Sequence, residues 1–206
     1  MSSVLRSLVR LVVAVTIVVA LTAQYIHGSE RATFSSANFF SYFTVVSNIL
    51  VVVVMLALAA RPTLVNDPRF TGLRGTETLC ITATGLVYAV LLAPSAADVD
   101  VNLRWVDLVV HTLAPIVGLA DWILDPPRTR PTLPATVAWL AVPAVWLPYT
   151  MIRGPVADWY PYPFLDPDKE SVGSIIVTCI GILAAFLVIA VGLRWLSGRK
   201  RPDLAR

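Results

Sequence analysis

The sequence predicts an all-α protein of the polytopic membrane class: a bundle of six transmembrane helices with the N- and C-termini in the cytoplasm. Hydrophobic residues make up 57% of the 206-residue chain and charged residues only 14%, whereas soluble domains average about 45–50% and about 25%. A helix that crosses a membrane needs roughly 20 mostly apolar residues. Six stretches meet this requirement: 5–26, 39–60, 76–94, 104–124, 132–152 and 172–196.

The six stretches leave no length for a soluble domain, so we expect residues 1–206 to form one integral membrane domain with short loops. The first stretch has the basic start of a signal peptide, but its apolar run is too long and no clear cleavage site follows. We therefore expect this span to be retained, and its cleavage would leave five spans. Proline and glycine, which favour loops, follow three predicted spans: Arg61-Pro62, Asp125-Pro126-Pro127 and Arg153-Gly154-Pro155.

The distribution of positive charge predicts the orientation of the bundle, because Lys and Arg concentrate in cytoplasmic segments. With both termini inside, the outer loops hold only Arg31, Arg104, Arg153 and Lys169 of the 16 basic residues. The inner segments hold the rest: Arg6, Arg10, Arg61, Arg69, Arg74, Arg128, Arg130, Arg194, Arg199, Lys200, Arg201 and Arg206. We interpret the basic tail as a flank that touches anionic lipid and expect no nucleic-acid partner.

Two polar residues, Thr44 and His111, lie inside apolar stretches that must cross the membrane. An ionisable side chain is costly in that environment and marks a functional site by default. At 1.5 Å per residue, Thr44 lies roughly 7 Å and His111 roughly 9 Å below the outer ends of the second and fourth spans. Because the two side chains share a level, adjacent helices would bring the hydroxyl and the imidazole within hydrogen-bond distance.

The neighbours of these residues complete a catalytic pattern. Asp107 precedes His111 by four residues, so it shares a helix face with the imidazole and can accept a hydrogen bond from one ring nitrogen while the other faces Thr44. A hydroxyl nucleophile, a histidine base and an orienting carboxylate form the general triad arrangement. Ser47 and Asn48 follow Thr44 by three and four residues and are placed to help hold a developing oxyanion.

Each of these residues also has a structural interpretation, which the sequence leaves open. A threonine in a spanning helix most often bonds the carbonyl four residues earlier. Asn48 suits an interhelical hydrogen bond, and Asp107 lies close enough to the headgroups to be merely hydrated. His111 is equally compatible with a packed, neutral, hydrogen-bonded histidine.

Other chemistry is poorly supported, and we expect no metal and no cofactor. One deep histidine with Asp107 supplies too few ligands for a metal site, and no phosphate-binding glycine loop is present. Cys80 and Cys179 lie at different depths, which argues against a disulfide. A proton-coupled transporter would need carboxylates near the midplane. Glu77 and Asp121 are expected to form a structural polar cluster with Arg74 or Arg128 at the inner side.

Two further features predict local structure. Pro143 and Pro148 lie inside the fifth span and should bend it. The longest outer loop, residues 153–171, contains an aromatic and proline-rich stretch, Asp158 to Asp166, which is too stiff and too apolar for a free linker. Two arrangements are open: the loop folds over the outer mouth of the bundle, or it anchors in the headgroup layer.

Three patches of the chain resemble the androgen-induced protein and androgen-dependent TFPI-regulating protein family, in its bacterial branch. The patches are Phe43-Thr44-Val45-Val46-Ser47-Asn48, His111-Thr112-Leu113-Ala114-Pro115 and Tyr160-Pro161-Tyr162-Pro163-Phe164-Leu165-Asp166. The resemblance implies a six-span membrane threonine hydrolase that cleaves fatty acid esters of hydroxy fatty acids or similar lipid esters. It also implies that Thr44 and His111 are the catalytic residues, whereas Asp107 follows from spacing alone.

The hypothesis from the sequence is thus an intramembrane lipid ester hydrolase in the cytoplasmic membrane of a bacterium, with Thr44 as nucleophile and His111 as base. Its partners would be the lipid bilayer and a hydrophobic ester substrate, and it would need no cofactor. The alternative is a non-catalytic membrane protein that binds or transports a lipid or small molecule in a polar pocket near the outer face.

Overall fold

The chain folds into an all-α bundle in which six helices are long and apolar enough to cross a membrane, the architecture of a multi-pass membrane protein. A computed structural model describes residues 2–93 and 103–198, and 82% of it is helical. The spanning helices are α1 (Ser3–Ser29), α3 (Phe43–Ala60), α4 (Pro68–Leu92), α5 (Arg104–Leu124), α6 (Leu133–Ala157) and α7 (Val172–Leu196). The short helix α2 (Ser36–Ser41) precedes α3. The predicted span end at Pro94 and the basic residues Arg199, Lys200, Arg201 and Arg206 lie outside the described residues.

Helix α4 occupies the middle of the bundle and contacts α3, α5, α6 and α7. One of its faces joins a buried cluster with α7 and the outer loop, through Leu79 and Ala83. The other joins a cluster with α1, α3 and α5, through Ile81. The surface of the bundle is apolar: Val156, Val188 and Ile152 are 85%, 73% and 71% exposed. Such an apolar surface suits contact with lipid.

The third span begins at Pro68 and not at residue 76, as the sequence predicted. The side chain of Asp67 accepts hydrogen bonds from the backbone N–H groups of Arg69 and Phe70, and proline is favoured in the first turn. The Asp67 cap and Pro68 start the helix in residues 68–75, a segment whose charged residues disfavour a membrane span. Arg74 lies in this extension and is nevertheless buried, because it pairs with a carboxylate of α5.

The second span begins later than predicted, because the chain breaks at Tyr42, which has extended backbone dihedrals. Residues 36–41 form α2 separately, and α3 starts at Phe43 in place of residue 39. The break is tied to α6: the Ser41 carbonyl accepts a 2.9 Å bond from Trp146 Nε1, and Ser41 Oγ lies 2.7 Å from the Tyr149 hydroxyl. Thr44 therefore lies in the first turn of its helix.

The fifth span runs from Leu133 to Ala157, five residues beyond its predicted end, and is interrupted at Trp139 and Leu140. Pro143, which the sequence analysis expected to bend this span, accounts for the interruption, because it has no N–H to donate to the carbonyl of residue 139. Pro148, by contrast, lies inside a continuous helix. The remaining spans match closely: α5 and α7 have the predicted bounds, and α1 is longer than residues 5–26 by a few residues at each end.

Four charged residues join α1, α4 and α5 at the predicted inner side. Arg10 donates to both carboxylate oxygens of Asp121, at 2.8 and 3.2 Å, and to Asp125 at 2.9 Å. Arg74 donates to the Asp121 carboxylate at 2.8 Å and to the Asp125 carbonyl at 2.7 Å. Both guanidinium groups are almost fully buried. Since charges in an apolar medium must be paired, this network fixes the relative positions of the three helices.

The cluster that the sequence predicted at this level is confirmed only in part. The pair of Arg74 and Asp121 forms, but Arg128 is exposed. Glu77 is fully buried and accepts a 2.9 Å hydrogen bond from Thr78, its neighbour in the chain.

Replacement of Arg10 by Met tests this network. Asp121 and Asp125 would lose a buried cation, and breaking one partner of a buried pair costs about 3–5 kcal/mol. We expect Arg10→Met to lower the melting temperature in detergent strongly, as measured by thermal unfolding. Arg6→Met, on the same helix but one turn earlier and partly exposed, is the matched control. Equal melting temperatures for the two variants would contradict the stabilising role of the network.

Candidate active site

Thr44 and His111, 67 residues apart in the chain, are hydrogen-bonded to each other in the structure. Thr44 Oγ1 lies 3.2 Å from His111 Nε2. Thr44 is 8% exposed, so the contact is largely shielded from the surface. The proximity predicted from the depths of the two residues is confirmed, although Thr44 lies nearer to its helix end than predicted. Their catalytic roles stay predictions.

The hydroxyl of Thr44 differs from those of other helical threonines in this chain. Five of them donate to the carbonyl four residues earlier: Thr16, Thr71, Thr76, Thr84 and Thr136. For Thr44 that residue is Phe40, which lies in α2, beyond the break at Tyr42. Among the described residues, the partners of the Thr44 hydroxyl are His111 and Tyr162. The break therefore removes the usual competitor for a helical threonine hydroxyl.

Two side chains on α4 and α5 hold the His111 ring. Asp107 Oδ1 lies 2.9 Å from His111 Nδ1, as the four-residue spacing predicted. The ring of Tyr88 stacks on the imidazole, with centroids 4.0 Å apart and planes 7° from parallel. The Tyr88 hydroxyl donates to the second oxygen of Asp107, so the carboxylate that orients the histidine is itself fixed.

These contacts define the proton positions on the imidazole. An ionised carboxylate only accepts hydrogen bonds, so His111 Nδ1 carries the hydrogen that Asp107 receives. In a neutral imidazole Nε2 then has a free lone pair, and this lone pair faces the Thr44 hydroxyl. The arrangement is that of a base aimed at a hydroxyl and oriented by a third group.

Both rings of the stacked pair lie in π-helical turns. Tyr88 begins the turn Tyr88–Leu92 of α4, and His111 lies within Val109–Leu113 of α5. Pro115 has no N–H for the carbonyl of His111, which disfavours a regular α-turn there. Gly85 allows close approach, because a Cβ at position 85 would lie 2.6 Å from Pro115 Cβ. Single π-turns of this kind occur frequently at functional sites.

Ser47 and Asn48 support the site but do not hydrogen-bond Thr44 Oγ1. Asn48 Nδ2 donates to the carbonyls of Thr44, at 2.9 Å, and Val110, at 3.1 Å, which occupies both amide hydrogens. Ser47 Oγ lies 3.1 Å from the Thr44 carbonyl and 2.9 Å from Thr84 Oγ1, so its single hydrogen is also engaged. Neither side chain is among the hydrogen-bond partners of the Thr44 hydroxyl, and their oxyanion role stays a prediction. They fix the backbone that carries Thr44.

A tyrosine that sequence reasoning did not select reaches Thr44 from the outer loop. The Tyr162 hydroxyl accepts a 3.2 Å hydrogen bond from the Thr44 N–H and lies 3.3 Å from Thr44 Oγ1. Helix α3 has no side-chain cap of its own, so this hydroxyl satisfies one of the free N–H groups of its first turn. The loop thus contributes directly to the site.

Aromatic rings surround Tyr162 and keep it buried. Its ring stacks on Phe164, with centroids 5.2 Å apart, and packs against Tyr42 and Trp146 at 5.8 and 5.9 Å. Burial raises the pKa of Tyr162 to about 12, so the phenol stays protonated at neutral pH. Of the two arrangements predicted for the loop, the structure has the one in which it folds into the bundle: Tyr162 and Leu165 are 9% and 2% exposed.

Two cavities meet at Thr44. The first, the apolar cavity, has a volume of about 410 Å³ and a lining almost entirely of apolar side chains, most of them from α4, α6 and α7. Ile176, Ile180 and Leu183 of α7 line it and are more than half exposed on the bundle surface. The apolar cavity therefore opens sideways, on the face of the bundle where a bilayer would lie.

The second cavity, the vestibule, has a volume of about 690 Å³ and a partly polar lining. Asp107 and His111 line it together with the exposed residues Thr33 and Lys169 of the outer loops, so it opens at the end of the bundle. Thr44 lines both cavities. The hydroxyl thus lies at the boundary between an apolar space and a polar one.

Tyr88 and Tyr162 are the site residues that the sequence analysis missed. A signal for Tyr88 existed: it lies six residues before Pro94, the predicted outer end of the third span, which is about 9 Å of helix and the level of His111. No comparable signal existed for Tyr162, since its contact with Thr44 joins residues 118 apart.

The site contains groups for acid–base and nucleophilic chemistry rather than ligands for an ion. Within residues 2–93 and 103–198, no group of three or more His, Cys, Asp or Glu side chains could hold a metal. Cys80 and Cys179 are free thiols.

Comparisons with protein-family models, curated proteins and solved structures give no match to this chain. The family resemblance therefore depends on the three sequence patches alone.

The Asn48 bridge between α3 and α5 yields a prediction about stability. Asn48→Leu keeps the branched shape of the side chain but leaves the buried Val110 carbonyl without this donor, which costs about 1–3 kcal/mol. We expect a lower melting temperature in detergent than for the wild type. Asn66→Leu, at an exposed position, should change the stability by less than about 0.5 kcal/mol. An unchanged melting temperature for Asn48→Leu would show that the bridge does not stabilise the bundle.

Proposed function

We propose that the protein is an intramembrane hydrolase of lipid esters, with Thr44 as nucleophile and His111 as general base. One observation carries the proposal: the Thr44 hydroxyl lies 3.2 Å from Nε2 of His111, whose other ring nitrogen lies 2.9 Å from Asp107, at the meeting point of an apolar and a polar cavity. A threonine hydroxyl is a weak nucleophile at its ordinary pKa and needs such a base.

The first half of the reaction transfers the acyl group to the enzyme. Thr44 Oγ1 bonds to the ester carbonyl carbon while its proton passes to His111 Nε2, and the carbonyl π electrons move onto the oxygen. When the carbonyl re-forms, the bond to the alkoxy oxygen breaks and His111 protonates the leaving alcohol. Asp107 stabilises the imidazolium that forms between these steps, in the manner of a triad carboxylate.

The second half releases the acid. A water molecule from the vestibule attacks the acyl-threonine carbonyl and gives a proton to His111 Nε2. Collapse of this intermediate breaks the bond to Thr44 Oγ1, which recovers its proton from His111, and a carboxylic acid leaves. General acid–base catalysis of this type contributes about 10²–10⁴-fold in rate.

The cavities support a lipid as the substrate. The apolar cavity would hold the acyl chain of the ester and is from here on called the acyl cavity. It has the size typical of small-ligand sites, about 300–1,000 Å³, and an almost wholly apolar lining. A hydrocarbon chain entering between α6 and α7 would reach Thr44 without leaving apolar surroundings. The vestibule would receive the alcohol portion and supply water. The family resemblance narrows the substrate to fatty acid esters of hydroxy fatty acids or related lipid esters.

The charge distribution supports an orientation in which the site opens on the outer side of a cytoplasmic membrane. The site lies at the end of the bundle opposite the Arg10 and Arg74 network, and Lys and Arg concentrate on the side of that network. By the positive-inside rule, the vestibule would open away from the cytoplasm. Substrate would then come from the outer leaflet.

Substitutions at Thr44 and His111 test the mechanism. Thr44→Ala and His111→Ala should each lower the rate of hydrolysis of long-chain esters by at least about 10²-fold. The first variant loses the proposed nucleophile and the second loses the proposed base. Activity of purified protein in detergent is the measurement. The matched controls are Thr76→Ala, whose hydroxyl bonds its own helix, and His27→Ala, at the only other histidine. Both should retain wild-type activity.

The same variants separate the proposal from its rival, a lipid-binding or transport protein with the same cavities. A fluorophosphonate probe that reacts with activated hydroxyls should label wild type but not Thr44→Ala. Hydrolysis that survives both Thr44→Ala and His111→Ala would exclude the mechanism. Uptake of lipid into proteoliposomes without any ester cleavage would favour the carrier.

The acyl cavity predicts a dependence on chain length. Cys179 of α7 lines this cavity, so Cys179→Trp should fill part of it and lower kcat/KM for long-chain esters more than for short-chain esters. The control is Val177→Trp on the same helix, since Val177 is 69% exposed and points away from the cavity. The measurement is kcat/KM across a series of chain lengths. An equal loss for all lengths in Cys179→Trp would contradict the assignment of this cavity.

A further inference from the structure

We propose that Tyr162 is a third catalytic residue, whose hydroxyl donates a hydrogen bond to the oxyanion formed when Thr44 attacks the ester. The inference rests on the proposed hydrolase function and adds a group that neither the sequence patterns nor the triad arrangement assigns. Its basis is the position of the Tyr162 hydroxyl, 3.3 Å from the attacking oxygen and on the lining of both cavities.

The hydrogen bonds of Tyr162 leave one proton for the reaction. Its oxygen accepts the N–H of Thr44 at 3.2 Å, and this bond fixes the phenol beside the nucleophile. Its own O–H proton is directed to Thr44 Oγ1, because the Thr44 proton is directed to His111. Before the reaction, the three groups form one chain of donors: the phenol donates to the threonine hydroxyl, which donates to the imidazole.

Attack on the ester changes the best acceptor for the phenol proton. Once Thr44 Oγ1 bonds to the carbonyl carbon, it becomes an ether-like oxygen and a weak acceptor. The carbonyl oxygen, which has received the π electron pair, is now negative and bonded to the same carbon. The Tyr162 O–H can turn from the first oxygen to the second without moving its ring, and it keeps its proton throughout. Donors placed where charge develops supply a large part of enzymatic rate enhancement.

Three other side-chain donors near Thr44 are already engaged. The amide hydrogens of Asn48 bond two backbone carbonyls, and the hydroxyl of Tyr88 bonds Asp107. Ser47 bonds within its own helix or to Thr84. Among the described residues, Tyr162 is therefore the donor in contact with Thr44 whose proton the reaction can redirect. The burial that raises the pKa of Tyr162 to about 12 keeps this proton in place at neutral pH.

A purely structural role must be distinguished from catalysis, because the Tyr162 hydroxyl also caps the first turn of α3. Loss of a helix cap costs about 0.5–2 kcal/mol of stability but has no reason to change kcat in the folded protein. Loss of an oxyanion donor lowers kcat by about 10²–10³-fold and leaves substrate binding nearly unchanged. The separation of kcat from KM and from the melting temperature therefore discriminates the two roles.

The test compares Tyr162→Phe with Tyr149→Phe in the full-length protein in detergent. The Tyr149 hydroxyl forms a 2.7 Å hydrogen bond with Ser41 at the same end of the bundle, and Tyr149 lines neither cavity. Tyr149→Phe therefore reports the effect of losing a hydrogen bond between helices without a change in the site. We expect Tyr162→Phe to lower kcat for a long-chain ester by about 10²–10³-fold at unchanged KM. Tyr149→Phe should keep wild-type kcat.

A second measurement covers the case in which Tyr162→Phe does not fold. Incorporation of 3-fluorotyrosine at position 162 preserves the ring contacts and the hydroxyl but makes the hydroxyl a more acidic donor. It should change kcat at an unchanged melting temperature, whereas 3-fluorotyrosine at position 149 should leave kcat at the wild-type value. Affinity for a long-chain trifluoromethyl ketone, which forms a tetrahedral adduct with a hydroxyl nucleophile, should follow kcat and not KM.

The outcomes separate this inference from the function on which it rests. Hydrolysis that depends on Thr44 but is unaffected by Tyr162→Phe, or by fluorination at position 162, would overturn the role of Tyr162 and leave the hydrolase proposal intact. Hydrolysis that is absent from wild type, or unchanged in Thr44→Ala, would overturn both.

Discussion

The structure depends on one constraint: a polar side chain among apolar helices must find its partners inside the protein. The chain meets this constraint at two levels. At one end, Arg10 and Arg74 neutralise two aspartates and lock α1, α4 and α5 together. At the other end, the polar groups form a chain of hydrogen bonds from Tyr162 through Thr44 to His111. The arginine–aspartate network holds the helices in place, so that the hydrogen-bonded chain at the other end can be aligned.

The helices depart from regular geometry at the level of the Thr44–His111 contact. Tyr88 and His111 lie in π-helical turns, and Gly85 lets α4 and α5 approach at the level of the stacked rings. A π-turn changes the pairing of backbone carbonyls, and the Val110 carbonyl accepts from Asn48 of α3. Asn48, one of the two residues first considered as oxyanion donors, thus joins the helix of Thr44 to the helix of His111.

Much of the fold and part of the site could be predicted from the sequence. Depth along each span brought Thr44 and His111 to one level, and a spacing of four residues gave the contact with Asp107, because both are local geometric quantities. The predicted start of α4 was wrong, because Arg74 is acceptable in a span only when Asp121 pairs with it. That pairing is a tertiary contact, which the local sequence does not reveal. The role of the outer loop at Thr44 was missed for the same reason, since its contact crosses 118 residues.

The break at Tyr42 explains why the hydroxyl of Thr44 is available to His111. A threonine in a continuous helix gives its proton to the carbonyl four residues back, as Thr84 does to Cys80, and its stiff χ1 keeps it there. Ending α2 before Thr44 takes that carbonyl out of line and leaves the hydroxyl to His111. The same break exposes the first-turn N–H that Tyr162 occupies. One irregularity in the backbone therefore frees the Thr44 hydroxyl and fixes the phenol beside it.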